Sequence, residues 1–188
     1  MGRRRQIDRA AILDAALALA DADGLDAVTM HAVAQRLQVT PMALYRHTDN
    51  KQALLDGLVE RLLTSFPLPA AGLPWADRLT ATAEAIRATA RRHPNVFPLL
   101  LTRPAVTPGA RTVRDFVLAA LREAGLDEAA AARAERLMST TVLGFAAGEA
   151  AGRFRRHDQA VIDEDFATLL GWLRLMVGEV PGRLNRVP

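Results

Sequence analysis

Cysteine is absent from the 188-residue chain, which excludes disulfides, thiol chemistry and cysteine-type zinc sites. Lysine is nearly absent too: Lys51 is the single lysine among 24 basic residues, so 23 are arginines, whose charge persists at any accessible pH. Tyr45 is the only tyrosine. No apolar run approaches the ~18 residues that span a bilayer. Met1-Gly2-Arg3-Arg4-Arg5-Gln6-Ile7-Asp8 is not followed by a secretory h-region, so a cytoplasmic chain is expected. His31, His47, His93 and His157 are scattered, with no His-x-x-x-His or Glu-x-x-His pair, and no metal is expected. Glycine-rich phosphate loops and a Gly-x-Ser-x-Gly elbow are also missing, so no cofactor is expected and an enzyme is the weaker reading.

What is present is 50% hydrophobic residues, a net charge of +3 and abundant alanine. That composition suits a folded, helical chain. The 3.6-residue period dominates and no strand alternation emerges. Asp8 is a plausible N-cap for a first helix carrying Ile12, Leu13, Ala16, Leu17 and Ala20, closed by Gly24. Thr29, also a candidate DNA contact, caps a short second helix with Met30, Val33, Ala34 and Leu37 on one face. After Gln38-Val39, Thr40-Pro41 starts a third helix reaching about His47. Asp49 and Asn50 can cap a fourth, with Leu54, Leu55, Leu58, Leu62 and Leu63.

Two short helices separated by about three residues, with small Ala34 at their crossing, form a helix-turn-helix whose last helix enters a major groove. Pro41, Met42, Ala43 and Arg46 then face outward. Arg46 can donate two bonds to guanine O6 and N7, and Met42 or Ala43 can touch a thymine methyl. Thr40 at the N-cap leaves N–H groups for a phosphate. Tyr45 and His47 can donate to phosphate oxygens, and Lys51 adds a point charge. Arg3-Arg4-Arg5 forms a basic arm over residues 1–7, through which Arg4 and Arg5 can reach a minor groove.

The segments Ile12–Leu19, Gly24, Val28-Thr29-Met30, Val33–Leu37, Ala43–His47 and Lys51–Leu55 resemble the TetR family of transcriptional repressors. The resemblance implies an all-α fold with two domains, placed here at 1–66 and 67–188. It implies a homodimer on near-palindromic double-stranded operator DNA, released by a small molecule in the C-terminal domain. It also implies phosphate contacts for Tyr45, His47 and Lys51, and a base or phosphate contact for His31. Two positions depart from the pattern. Gln38 stands where glycine usually ends the second helix, and Thr48 replaces an aromatic residue.

The break at Pro67–Pro74 opens the second domain. Helices are expected at Trp75–Arg92, Val96–Leu101, from Thr107-Pro108 to Gly125, at Glu128–Gly152 and near Asp165–Val180. Leu100–Pro104 and Leu143-Gly144 are similar to the tetracycline repressor branch, yet no histidine stands near Leu99 for a drug-bound magnesium. The expected pocket comprises Phe97, Leu100, Arg103, Phe116, Leu137, Met138, Thr141 and Phe145, with His93 and Asn95 as further polar groups and an apolar or aromatic effector. Gly144, Gly148 and Gly152 recur every four residues. With Leu169, Trp172, Leu173 and Met176 they suggest a dimer interface of two helices per subunit. An architectural DNA binder without a pocket is the other alternative.

Overall fold

A computed structural model describes residues 7–103 and 107–179, and every regular element among them is helical. The arm residues Arg4 and Arg5 lie outside the described residues. The helices are α1 (Arg9–Asp23), α2 (Met30–Leu37), α3 (Pro41–Leu44), α4 (Lys51–Ser65), α5 (Trp75–Arg92), α6 (Leu99–Thr102), α7 (Pro108–Glu123), α8 (Glu128–Ala150) and α9 (Gln159–Glu179), with a 3₁₀ turn at Leu25–Ala27.

Side-chain caps fix most of the helix starts. Asp8, Thr29, Asn50, Thr107 and Asp127 each accept a backbone N–H three residues on, at 2.8 to 3.3 Å. Pro41 and Pro108 occupy the first helical position, where a missing N–H is harmless. Gly24 and Gly125, at φ +83° and +94°, take left-handed conformations just past α1 and α7.

Helices α1, α2, α3 and α4 pack together, and α5, α7, α8 and α9 form a second bundle against which α4 and α6 lean. One continuous apolar cluster runs from Ile12 to Val177. Helix α4 belongs to both halves of it. Its Leu54 and Leu58 are buried, and Gly57 lets α1 approach so closely that a Cβ there would sit 2.5 Å from Leu13 Cδ2.

Several expectations change. Gln38 does adopt the left-handed region, at φ 58° and ψ 42°, as the only non-glycine there among the described residues. Its N–H still closes α2 onto Ala34 and Gln35. Gln38→Gly removes this strain, about 1–2 kcal/mol for an L-residue. It also loosens the unfolded chain by roughly 0.4–1 kcal/mol. A net gain of about 0.5–1 kcal/mol is expected in urea unfolding, and a loss would show that the turn does not constrain this side chain.

The last helix starts at Gln159, earlier than the periodicity places it. Asp163-Glu164-Asp165 therefore lies inside α9 rather than at its start. The Asp163 carboxylate is stabilised by Arg87 and Arg91 of α5, at 2.8 and 2.7 Å, not by the helix end. Helix α6 is shorter than Val96–Leu101 suggests, because Pro94 and Pro98 confine the preceding residues to turns. Gly152 is not on the face of α8. It has φ +73° just beyond the helix and reverses the chain.

Candidate nucleic-acid interface and ligand cavity

Helix α3 is a single turn anchored by one buried side chain, Leu44. The chain continues in a tight turn through Tyr45–His47, with the Thr48 N–H donating to Leu44 O at 3.0 Å. The expected helix to His47 is therefore realised as one helical turn and a bonded extension. Met42 is 71% exposed and Tyr45 49%. Arg46 is exposed, and Pro41, Ala43 and His47 are half-buried beside them. His31 is exposed at the start of α2. These residues offer polar and methyl-bearing groups, the two kinds of contact that base edges accept.

Thr29 and Thr40 are exposed but differ in role. The Thr29 hydroxyl accepts the Ala32 N–H at 3.0 Å and belongs to the cap. The Thr40 hydroxyl makes no cap bond, because the Ala43 N–H goes to the Thr40 carbonyl at 2.9 Å. That hydroxyl stays available beside the N-terminus of α3. Lys51 is the first residue of α4, at the positive end of the helix dipole. A cation there is disfavoured unless an anion joins it. Thr48 is buried with an unpartnered hydroxyl.

A cavity of about 170 Å³ lies among α4, α5, α7, α8 and α9. Leu63 and Phe66 of the α4 end, Ile86, Val113, Met138 and Leu173 give it an apolar wall. Of the eight expected pocket residues only Met138 lines it. Phe97 is fully buried in the core, and Leu100 packs against that core half-buried. Phe116 lies under the Arg78 guanidinium at 5.8 Å. Phe145 stacks on Phe154 and Phe166 at 5.1 and 5.2 Å. Leu137 and Thr141 are exposed, and the Thr141 hydroxyl donates to Leu137 O of its own helix.

The other expected polar groups brace the two halves of the molecule. His93 Nδ1 lies 2.8 Å from Asp21 Oδ2, and Asn95 donates to Ala20 O at 3.0 Å, so both hold the end of α1. Arg103 donates to Gln52 and Asp56 on α4. Glu60 of α4 accepts the Gly109 N–H at the start of α7, at 2.9 Å. Polar cavity residues come instead from Thr80, Thr82, Arg114, Glu135, Ser139 and Arg174. The apolar stripes of five helices were readable in sequence. That their convergence leaves a void, and which polar residues border it, depends on packing across the bundle.

Beside the cavity, Arg87 is buried yet charged. It donates to both oxygens of Glu149, at 2.6 and 2.9 Å, and its guanidinium lies 4.5 Å from the Phe166 ring centre. Arg91 bonds the same carboxylate at 2.7 Å, and Gln159 donates to it at 3.2 Å. Burial pushes the Glu149 carboxyl up, but hydrogen bonds from Arg87, Arg91 and Gln159 outweigh it and hold the group below the usual glutamate range.

On the outer face of α8 and α9, Trp172 is 64% exposed and Met176 is exposed, and nothing lies within 4 Å of a Cβ placed on Gly144. Leu169 is half-buried. Two expected interface residues turn inward. Leu173 is buried in the cavity wall, and Gly148 faces Phe154 of its own chain, 3.5 Å from a built Cβ.

Two short helices joined by a turn, carried on a helical body that encloses an apolar cavity, define a helix-turn-helix protein. Residues 12–58 match the family of bacterial regulatory proteins of the tetR type, and residues 66–170 match the tetracyclin repressor-like C-terminal domain. The chain belongs to the tetR family.

A relative from Saccharopolyspora erythraea, described as an HTH-type transcriptional regulator, is 33% identical over 79% of this chain and 63% of its own length. The chain spans about half to two thirds of the length of the first curated relatives it matches. BioQ with its natural double-stranded DNA operator is similar in structure, with TM-score 0.78 and 26% identity over 93% of this chain and 99% of that one. A TetR variant from Acinetobacter baumannii in complex with minocycline has TM-score 0.81 and 26% identity over 94% and 99%. No helix among the described residues is long and apolar enough to cross a membrane.

Proposed function

We propose that the chain is a cytoplasmic, sequence-specific DNA-binding regulator, a repressor rather than an enzyme. In this reading a homodimer holds a near-palindromic operator, and a small molecule in the helical body releases it. Residues 1–66 would form the DNA-binding domain and 67–188 the ligand-binding and dimerisation domain. The observation that carries the proposal is the exposure of Met42 on a one-turn helix and of Tyr45 and Arg46 in the turn that follows it, with Lys51 at the start of α4. Exposed Trp172 and Met176 on α9 supply an apolar face for a second copy. A two-fold axis there would set the two α3 helices in successive major grooves, about 34 Å apart.

Release has a physical route through α4. Its far end walls the cavity with Leu63 and Phe66, and its near end carries Lys51. Arg103 and the Gly109 N–H grip it between. A ligand that fits the cavity only when Leu63 and Phe66 shift selects a different α4 direction and so a different spacing of the two α3 helices.

Arg46→Ala and Lys51→Ala separate reading from holding. Arg46→Ala should relax preference at one operator position by about 1–3 kcal/mol of discrimination. Lys51→Ala should weaken binding to every duplex and lower the salt slope by about one unit. A uniform loss for Arg46→Ala, or an unchanged slope for Lys51→Ala, would contradict those roles.

A further inference from the structure

The apolar cavity opens beside a polar groove between α5 and α9, and Thr80, Leu170 and Arg174 line both. Two of these three junction residues are polar: Thr80 is partly buried, and Arg174 is exposed at the groove. The Thr80 hydroxyl is buried without a hydrogen-bond partner. Among the described residues, Arg174 makes no hydrogen bond or ion pair.

Most of the neighbouring charges are matched within the chain. Arg87 and Arg91 face Glu149 and Asp163, and Arg114 lies 3.4 Å from Glu135. Glu84 borders the groove but not the cavity. The mouth of the cavity therefore offers one unpaired guanidinium and one idle hydroxyl. That donor pair suits an anion, because a guanidinium binds a carboxylate through two parallel N–H bonds and a hydroxyl can donate a third. A cationic ligand would meet Arg174 with like charge, and a neutral one would leave it unpaired.

We propose that this site takes an amphipathic carboxylate, with its apolar body in the cavity and its carboxylate at the junction, accepting from Arg174 and Thr80. Its role as effector rests on the regulator reading given above, whereas the presence of the two donors at the junction does not. The cavity, about 170 Å³, is slightly larger than the roughly 150 Å³ void that accepts one benzene. The body is accordingly one ring or a chain of about six to eight carbons.

The test titrates the full chain with octanoate, octan-1-ol and octylamine by calorimetry at neutral pH, using wild type, Arg174→Gln and Thr80→Val. Octanoate should bind at least about tenfold more tightly than the alcohol or the amine, the scale of a charge-assisted hydrogen bond. Arg174→Gln should remove that advantage and leave octan-1-ol binding unchanged. Thr80→Val should weaken octanoate by roughly threefold while raising the melting temperature, because it removes an unsatisfied buried hydroxyl. A purely structural threonine would not give both effects.

Octanoate binding no tighter than octan-1-ol, equal losses of both in Arg174→Gln, or no binding of any probe would overturn the carboxylate site. Operator binding is measured on the same samples. Octanoate that binds without releasing operator would overturn its role as effector. A ligand-free chain that selects no operator would instead contradict the regulator reading, and the carboxylate site would still stand or fall on the titrations.

Discussion

Glu149→Gln is expected to lower the unfolding free energy by about 3 kcal/mol, the lower end of the 3–5 kcal/mol seen when one partner of a buried ion pair is removed. The Glu149 side chain is 7% exposed and that of Arg87 is 9% exposed. Glutamine keeps the shape and removes the charge, so Asp163 at 2.8 Å becomes the one remaining carboxylate that Arg87 faces. In a chain of this length the melting temperature should drop by roughly 6–12 °C.

The pH dependence follows from the lowered carboxyl pKa of Glu149. A depressed folded value means that its contribution is fully present above the ordinary glutamate pKa of about 4.3. It is lost as the pH falls through the folded value. The gap between wild type and Glu149→Gln should therefore be widest near neutrality and close in acid. A gap under about 1 kcal/mol at pH 7, or one that widens in acid, would contradict the assignment of Glu149 as the charge partner of Arg87.

Leu44→Ala should be the second large effect. Leu44 is 0% exposed and is the only buried residue of α3. Truncating a buried leucine costs about 2–5 kcal/mol. A single helical turn has no independent stability, so without its anchor α3 loses its place on α2. Operator affinity should fall by at least tenfold, about 1.4 kcal/mol. Octanoate binding in the distant cavity should persist, which distinguishes local loss of the reader from global unfolding. Full operator affinity in a folded Leu44→Ala protein would show that α3 is not positioned by this contact.

The helices that read clearly in sequence are those whose signals are local. Asp8, Thr29, Asn50, Thr107 and Asp127 cap helices where side-chain chemistry favours a start, and Gln38 takes the left-handed turn that its position requires. The exposure of Met42, Tyr45 and Arg46 around buried Leu44 was legible for the same reason, since local spacing fixes which side chains share a face. Residues whose roles depend on distant partners were not. Arg78 and Arg87 look like ordinary polar positions of an amphipathic helix, yet they are buried because Glu123 and Glu149 meet them from α7 and α8. Phe145 was readable as apolar but not as the residue that stacks on Phe154 and Phe166 instead of facing the cavity. The glycine stripe misled because Gly148 answers to Phe154 and Gly152 to a chain reversal, contacts invisible to a four-residue period.

Selection of bound sequences from random duplex DNA at fixed salt tests the central claim most directly. The account predicts an enriched near-palindrome whose half-sites lie about one helical turn apart, with the enrichment narrowed at one position by Arg46. Salt-sensitive binding without any enriched sequence would contradict it, and would leave a helix-turn-helix protein that holds DNA without reading it.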